Sequence, residues 1–316
     1  MRRHAREPRK MGSFEDSSGR GGCVEAVGVI GTGLMGTACI ERLKGTGLDV
    51  VAYDVDEAKR AAAAKLGARA VVSVAEVARQ CERIVLCVFT TDQVEQVIEG
   101  TGGIAEAARK EPRIVICTST CDPDRLAALA SRVEAHGVHF LEVPISGTSR
   151  QVAEGDGVGL VGGDRAAMER AAPVLDAICP RRFHLGAVGN GSRTKLAVNL
   201  ILGINRAAMA EGFAFAERLG LDTLAFLEVA KASACHSQVM DVKGHMMARR
   251  EFDNVQGRVD QSLKDFKLML EQASKAGQAL PFATIYARML EDCVQNGEGA
   301  WDNMAILEAI RRRRAL

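Results

Sequence analysis

The sequence predicts an α/β unit with a mostly parallel sheet, followed by a unit that is helical throughout. From Val24 to about His184, short β-branched runs alternate with amphipathic helical stretches, a pattern typical of βαβ units. After Gly191 the β-branched runs stop, and the remaining segments have helical periodicity. A chain of 316 residues is also long enough for two hydrophobic cores. We therefore expect two domains, at residues 23–188 and 189–316.

The predicted strands of the first unit are EAVGVI, DVVAY, ERIVLCV, RIVICT, VHFLEV, GVGLVGG and RRFHL. Amphipathic segments between them, such as TACIERLK and DRLAALASRVEAHG, predict the connecting helices. The second unit opens with one long helix from about Ser192, which Gly220 and Asp222 end. The later helices of this unit are predicted at LAFLEVAKASA, VDQSLKDFKLMLEQASKAG, FATIYARMLEDCVQNG and MAILEAIRRRR.

Residues 1–22 carry Arg, Gly and Ser without an apolar period, which predicts a disordered tail. A transit peptide is the alternative, and the acidic residues Glu7, Glu15 and Asp16 argue against it.

Composition excludes several classes of function. A formal net charge of +1 provides no field that would attract nucleic acid or an acidic membrane. No segment reaches the ~18 to 20 apolar residues of a membrane-spanning helix. The 9 cysteines include no Cys-x-x-Cys pair and no zinc-like spacing, so we expect reduced thiols, no metal site and a cytoplasmic location.

The segment AVGVIGTGLMG places Gly31, Gly33 and Gly36 between a predicted strand and a predicted helix. In a Rossmann-type doubly wound sheet, the first glycine allows a tight turn and the second lets a pyrophosphate approach the backbone. The third glycine lets the helix pack on the strand. The position of this pattern predicts a dinucleotide-binding turn.

The next predicted strand ends in Asp54, close to the ~20-residue separation at which an acid binds the ribose hydroxyls. A helix N-cap is the alternative role, although Asp56 is available for it. Val55 and Asp56 follow directly, so a 2′-phosphate would meet two carboxylates and no arginine. We therefore predict NAD rather than NADP.

Short polar stretches follow two later strands. Ser119 and Thr120 follow RIVIC, and Ser146, Gly147 and Thr148 lie in LEVPISGTS. In open α/β sheets, ligands bind beyond the carboxyl ends of the strands, where hydroxyl and backbone donors can hold a carboxylate. Such residues are equally good helix caps, and spacing alone does not separate the two roles.

Lys195 and Asn199 lie four residues apart in the apolar start of the long helix. This spacing puts both side chains on one helix face, where they can converge on one small ligand. A lone helical lysine is normally solvated, but the apolar residues around Lys195 indicate that its side chain is at least partly removed from water. A lysine partly removed from water has a lowered pKa and can act as a general acid or base near neutral pH.

Taken in order, these motifs resemble the β-hydroxyacid dehydrogenase family, typified by 3-hydroxyisobutyrate dehydrogenase. The family's Gly-x-Gly-x-Met-Gly appears as GTGLMG, its Asp-x-Ser-Thr as CTST, and its Asp-Ala-Pro-Val-Ser-Gly-Gly as EVPISGT. Its Gly-x-x-Gly-x-Gly-x-x-x-Lys-x-x-x-Asn is intact from Gly186 to Asn199. The later Lys-Asp-Leu element appears as Lys264-Asp265-Phe266.

The resemblance implies that the long helix joins the two domains and that Lys195 is the catalytic acid/base, with Asn199 orienting the substrate. It also implies that the helical half supplies the contacts of a homodimer or homotetramer. The residues implied to bind the substrate are Ser119, Ser146, Gly147 and Thr148. Those implied to bind the cofactor are Gly31, Thr32, Gly33, Leu34, Met35, Gly36, Asp54, Val88, Phe89, Thr120 and Lys264.

Two departures from the family pattern bear on the substrate. Thr148 replaces the second glycine of Ser-Gly-Gly, which narrows the carboxylate pocket. Where many members have Ser-Trp, this chain has Ser237-Gln238 preceded by His236, which suits a more polar substrate unless His236 is a surface residue.

We predict an NAD-dependent dehydrogenase that oxidises a small 3-hydroxy acid. A semialdehyde or glyoxylate-type reductase and a non-catalytic dinucleotide-binding module are the alternatives.

Overall fold

The computed structural model describes residues 26–107 and 112–313. The predicted disordered tail at residues 1–22 lies outside the described residues.

Six parallel strands form the main sheet of the first unit. They are β1 (Val27–Ile30), β2 (Val50–Tyr53), β3 (Arg69–Ala70), β4 (Arg83–Leu86), β5 (Arg113–Cys117) and β6 (Val138–Glu142). Their order across the sheet is β3-β2-β1-β4-β5-β6, the doubly wound order, so the strand order reverses between β1 and β4. The carboxyl ends of these two strands therefore border the crevice in which such sheets bind ligands.

A second, three-stranded sheet contains the last two strands predicted for this unit. Its strands are β7 (Ile145–Ser146), β8 (Val158–Val161) and β9 (Arg181–His184). Strand β7 pairs antiparallel with β8, and β8 pairs parallel with β9. A single antiparallel bridge between Glu142 and Gly162 connects this sheet to the edge of the main one. The sequence marked GVGLVGG and RRFHL as strands, but their separation into another sheet depends on this pairing.

The helices of the first unit pack on the sheets and mostly begin at side-chain caps. They are α1 (Leu34–Gly45), α2 (Glu57–Lys65), α3 (Val74–Gln80), α4 (Thr91–Glu99), α5 (Pro123–Glu134), α6 (Ser149–Glu154), α7 (Arg165–Arg170) and α8 (Ala172–Ile178). The sequence analysis did not mark α4, although Thr90 and Gln93 form a capping box at its start.

The second unit is helical, as predicted. It contains α9 (Asn190–Arg218), α10 (Thr223–Ala232), α11 (Gln238–Arg249), α12 (Val259–Lys275), α13 (Pro281–Gln295), a short 3₁₀ turn at Asn303–Ala305 and α14 (Ile306–Arg312). The long helix α9 has 29 residues, and the other helices of the unit pack around it. Within the described ranges, no helix is long and apolar enough to cross a membrane.

Separate hydrophobic cores stabilise the two units. Apolar side chains fill both faces of the main sheet, with Ile40 and Leu43 of α1 on one face and Ile98 and Leu126 on the other. A further core lies among α9 to α14, where the Phe266 ring packs edge-on against the Tyr286 ring. Each core buries residues from several helices, so burial of apolar surface is the main stabilising contribution in both units.

A buried ion pair joins α11 to the 3₁₀ turn. Lys243 Nζ lies 2.9 and 2.8 Å from the two carboxylate oxygens of Asp302, and both side chains are almost fully buried. Burial lowers the pKa of Lys243 to about 8, while the negative charge of Asp302 acts to raise it. Asp302 also accepts from the backbone N–H groups of Gln256 and Met304, so its charge is well compensated. Removing one partner would leave the other buried and unpaired.

We expect Asp302→Asn to lower the free energy of unfolding by about 3–5 kcal/mol, because the buried Lys243 loses its counter-charge. Urea denaturation at pH 7 measures this change. The matched control is Asp49→Asn, which removes a largely exposed pair with Lys44 and should cost less than about 1 kcal/mol. Equal losses for the two variants would contradict a stabilising role for the buried pair.

Candidate active site

The glycine turn between β1 and α1 has little space for side chains at two of its three glycines. Gly31 has φ +87°, and a Cβ there would lie 2.7 Å from the carbonyl oxygen of Cys87. A Cβ at Gly36 would lie 1.9 Å from the carbonyl oxygen of Gly31. These two glycines therefore allow the tight turn and the close helix packing that the dinucleotide pattern requires.

Gly33 differs because a Cβ at this position would meet no atom within 4 Å. It is the N-cap of α1, and no side chain caps the helix. Open space in front of a helix N-terminus is the surrounding that a pyrophosphate needs. Of the next two predicted residues, Leu34 is 46% exposed at this opening, whereas Met35 packs against the sheet core. The residues present thus fit a dinucleotide.

Asp54 lies at the end of β2, next to the glycine turn. Its Oδ2 accepts from the Thr32 N–H at 2.7 Å, and its Oδ1 accepts from the Asp56 N–H at 3.0 Å. Asp56 caps α2 by accepting from the Ala58 N–H at 2.8 Å, so Asp54 is not the helix cap. The carboxylate of Asp54 therefore ties the glycine turn to the end of β2 and keeps acceptor capacity for a ribose.

An arginine lies closer to Asp54 than the sequence suggested. Arg60 Nη1 donates to the carbonyl oxygens of Asp54 at 2.8 Å and Val55 at 3.1 Å. Arg60 lies in the first turns of α2, and its guanidinium contacts the backbone that follows β2. A cation that was six positions away in the sequence thus belongs to the surroundings of Asp54.

The loops that follow β4 and β5 are joined through Lys264 of α12. Lys264 Nζ donates to the carbonyl oxygens of Thr120 at 2.8 Å and Phe89 at 3.1 Å. It also lies 5.3 Å from the centroid of the Phe89 ring. Ser119 Oγ donates to the carbonyl oxygen of Val88 at 2.6 Å. The structure therefore groups these five predicted residues together, at the edge of the sheet where ligands bind.

Ser146, Gly147 and Thr148 follow each other at the start of α6. Gly147 has φ +147°, a conformation that favours glycine. Thr148 forms a capping box, because its Oγ1 accepts from the Gln151 N–H and its own N–H donates to Gln151 Oε1. The helix-cap alternative therefore holds for Thr148, whose backbone N–H is already used. Ser146 is half-buried and makes none of these capping contacts.

Lys195 is buried in the second turn of α9, with only 6% of its surface exposed. Its Nζ donates to the carbonyl oxygen of Ile145 at 2.8 Å, directly beside Ser146. Burial lowers the pKa of Lys195 to about 8, while the negative charge of Asp265 acts in the opposite direction. The amine can therefore both release and accept a proton near neutral pH.

Asp265 of α12 contacts Asn199 of α9, and its charge acts on Lys195. Asn199 Nδ2 lies 3.4 Å from Asp265 Oδ2, and Asn199 Oδ1 is buried without a hydrogen bond from any described residue. Asp265 Oδ1 forms an ion pair with Lys264 Nζ at 3.1 Å. Helix α12 can approach α9 here because Gly203 faces the Phe266 ring, where a Cβ would lie 2.4 Å from a ring carbon. One contact network thus links the two helices.

Sequence reasoning gave no role to three residues that organise this site, Glu142, Asp265 and Arg60. Asp265 was noted only as part of a motif, although its position beside Lys264 places a carboxylate on the helix that faces α9. Glu142 was likewise only part of a motif, and an acid at the end of a buried strand is a signal that could have been followed. Arg60 had no sequence signal beyond its distance from Asp54.

His236 lies in a surface environment. Its Nε2 lies 2.7 Å from Asp241 Oδ2, and both side chains are half-exposed. Ser237 lines a small apolar cavity with Asn205 and Met209, which lie in the second half of α9, whereas Lys195 lies near its start. No contact among the described residues joins His236 to Lys195, which favours the surface alternative for this residue.

The comparisons with known proteins agree with this architecture. Residues 26–186 match the family described as the NAD binding domain of 6-phosphogluconate dehydrogenase. Residues 189–310 match the family described as NAD-binding of NADP-dependent 3-hydroxyisobutyrate dehydrogenase. The chain belongs to the β-hydroxyacid dehydrogenase family.

Similar proteins cover most of the chain. A glyoxylate/succinic semialdehyde reductase of Arabidopsis thaliana is 28% identical over 90% of this chain and 79% of its own length. A 2-hydroxy-3-oxopropionate reductase of Escherichia coli is 27% identical over 90% of this chain and 96% of its own. A crystal structure of 3-hydroxyisobutyrate dehydrogenase from Salmonella typhimurium has a TM-score of 0.82 at 26% identity, covering 90% of this chain and 99% of that one.

The predicted fold and family are therefore confirmed. The protein is an oxidoreductase that acts on CH–OH groups and binds a nicotinamide dinucleotide, NAD(P).

Proposed function

We propose that the protein is an NAD-dependent dehydrogenase that oxidises a small 3-hydroxy acid, with Lys195 as the general acid/base. The observation that carries this proposal is the buried Lys195 amine, which is held beside Ser146 and lies in the field of the Asp265 carboxylate. A lysine with a pKa of about 8 suits proton transfer to and from a hydroxyl group.

In the oxidation direction, the neutral amine of Lys195 accepts the proton of the substrate hydroxyl. The nicotinamide cofactor, when bound, supplies the hydride acceptor for this chemistry. The carbonyl oxygen of Ile145 holds the amine in place, and the free Asn199 Oδ1 offers an acceptor that can orient the hydroxyl. In the reduction direction, the protonated amine of Lys195 returns the proton to the carbonyl oxygen.

We assign the substrate carboxylate to Ser146 and Gly147, with Ser119 nearby in the adjoining loop. The Ser146 hydroxyl and the backbone at Gly147 can donate to a carboxylate, whereas Thr148 has only its hydroxyl hydrogen to offer because its N–H caps α6. Thr148 therefore narrows this end of the site more than it binds there. A small acid fits these limits.

A semialdehyde or glyoxylate-type reductase is a second candidate, because relatives named as such match the chain as well as a dehydrogenase does. Lys195 serves either direction equally. A panel of 3-hydroxy acids with NAD, and of small aldehyde acids with NADH, separates the two by relative kcat/KM. If the protein binds NAD but turns over no compound of either panel, the non-catalytic dinucleotide-binding module is favoured.

Two further features are part of this proposal. We expect a homodimer or homotetramer, with contacts made by the helical unit, and a cytoplasmic location. The helical unit exposes several large apolar side chains that such contacts could cover, among them Ile201 and Phe215 of α9 and Leu219 directly after it.

Lys195→Ala should reduce kcat by ~100-fold or more, because it removes the general acid/base. Steady-state kinetics with the best hydroxy acid of the panel measure this change. The control is Lys267→Ala, which removes a mostly exposed lysine of α12 paired with Glu291 and should leave kcat unchanged. Near-normal turnover of Lys195→Ala would refute the assignment.

The rate of oxidation should rise with pH around the Lys195 pKa of about 8, because the neutral amine is the base. The rate of reduction should fall over the same range, because the protonated amine is the acid. Asp265→Asn removes a charge that raises this pKa. Both profiles should therefore move to lower pH, while Asp260→Asn on the exposed face of α12 should move neither. Unshifted profiles for Asp265→Asn would contradict the coupling.

NAD should be preferred over NADP by ~10-fold or more, which corresponds to about 1.4 kcal/mol of like-charge repulsion between Asp54 and a 2′-phosphate. Titration of both cofactors by fluorescence measures the ratio. Asp54→Asn should reduce the preference, while Asp49→Asn, which changes an acid before the other end of β2, should keep it. A preference for NADP would mean that Arg60 receives the 2′-phosphate and that the NAD assignment is wrong.

A further inference from the structure

The first turn of α9 is capped by a side chain that comes from 47 residues earlier in the chain. Gly189, the N-cap residue, has no side chain to bind the first N–H groups, and the first turn contains no acid. Helix N-termini leave such groups without partners unless something outside the helix accepts from them. Here the acceptor is Glu142, the last residue of β6.

The Glu142 carboxylate accepts four hydrogen bonds from this turn. Oε1 accepts from the N–H groups of Gly189 at 2.5 Å and Gly191 at 2.7 Å. Oε2 accepts from the Ser192 N–H at 3.2 Å and the Ser192 hydroxyl at 2.6 Å. Glu142 is fully buried, so these bonds form in surroundings where an unpaired carboxylate would be costly. All four partners are donors, which only a carboxylate with two acceptor oxygens satisfies.

The same short segment of chain also holds the lysine. Glu142 is three residues before Ile145, whose carbonyl oxygen accepts from Lys195 Nζ at 2.8 Å. Ser192, which Glu142 binds, is three residues before Lys195 in α9. The segment from Glu142 to Ile145 therefore binds α9 at two points, which are the backbone of its first turn and the Lys195 amine.

The backbone of Glu142 is itself anchored. Its N–H donates to the carbonyl oxygen of Gly162 at 3.0 Å, and its carbonyl oxygen accepts from the Gly162 N–H at 2.9 Å. Glu142 thus lies where the main sheet, the second sheet and α9 meet. A side chain in this position transmits the geometry of both sheets to the helix that carries Lys195.

We propose that Glu142 is a positioning residue that locks the first turn of α9 and thereby holds the Lys195 amine against the Ile145 carbonyl, beside Ser146. This role rests on the proposed function of Lys195 as the acid/base. Glu142 does not touch the substrate or the cofactor in this proposal. It sets the distance between the proton-transfer group and the residues assigned to the substrate carboxylate.

The decisive variant is Glu142→Gln, which keeps the size of the side chain but turns one acceptor into an amide donor facing N–H donors. The first measurement is the rate of reductive methylation of each lysine, followed by peptide mass spectrometry, which needs neither substrate nor cofactor. Lys243 is the internal reference, because it is also buried and its pKa is also lowered to about 8. Methylation of Lys195 should rise ~10-fold while that of Lys243 does not change, as expected when a charge-assisted hydrogen bond no longer opposes local opening.

The second measurement is kinetic. In Glu142→Gln, kcat should fall about 10- to 100-fold, the loss that a small misplacement of a catalytic group causes. The NAD dissociation constant should stay within about 2-fold, because the glycine turn is not involved. Glu142→Asp keeps the charge, so its kcat and its rate of Lys195 methylation should both lie between those of Glu142→Gln and the wild-type chain. Asp222→Asn, which weakens the cap of α10, is the matched control and should change neither methylation of Lys195 nor kcat.

If Glu142→Gln leaves Lys195 methylation and kcat as in the wild-type chain, or raises methylation of Lys195 and Lys243 equally, Glu142 is only a structural cap and the proposal is overturned. If Glu142→Gln does not fold, Ser192→Ala decides, because it removes the hydroxyl that donates to Glu142 Oε2. Selective methylation of Lys195 with reduced kcat then supports the proposal, and wild-type values overturn it. Failure of the proposed function has a different signature, namely normal turnover in Lys195→Ala, and the methylation result stands apart from it.

Discussion

The site depends on a lysine amine that is kept out of water on the helix joining the two units. Removing an ammonium group from water is unfavourable, and the cost appears as a lowered pKa for Lys195. Two features limit that cost, the carbonyl oxygen of Ile145 and the negative charge of Asp265. Together they leave a group whose pKa of about 8 lies near neutral pH, which suits proton transfer in both directions.

The two units contribute different parts of this arrangement. The sheet unit supplies the glycine turn, the loops after β4 and β5, and the carbonyl that holds the amine. The helical unit supplies the amine itself and, through α12, the Lys264–Asp265 pair that reaches back to those loops. Neither unit alone places the Lys195 amine beside Ile145 and Ser146, because the amine comes from α9 and the carbonyl that holds it comes from the sheet unit.

The role proposed for Lys195 is compatible with relatives that are named both dehydrogenases and reductases. A lysine near its pKa can accept a proton from a hydroxyl or return it to a carbonyl, and it does not itself select the direction. Direction and substrate depend on the residues around the carboxylate, where this chain has Thr148 as a helix cap, and on the supply of oxidised or reduced cofactor. Small changes at these positions can therefore produce different activities on one fold.

The sequence by itself determined the fold class and the family, and it named the candidate residues of the site. Alternation of strands and helices, a glycine turn at the right place and a lysine with an asparagine one turn later are local patterns, and local patterns can be read along the chain. The two-residue strands β3 and β7 were not named, because so short a strand has no period. The helices that were not named are α4, α6, α7, α8 and α11, most of which have fewer than ten residues.

Only the tertiary structure decided which distant groups meet. The separation of β8 and β9 into a second sheet, the Lys243–Asp302 pair and the capping of α9 by Glu142 all depend on strands or side chains far apart in the chain. Such contacts are set by packing, which brings together residues whose spacing in the sequence contains no information about their distance. The sequence could name Lys195 as a candidate. The burial of its side chain and its hydrogen bond to the Ile145 carbonyl depend on the packing of the sheet unit against α9.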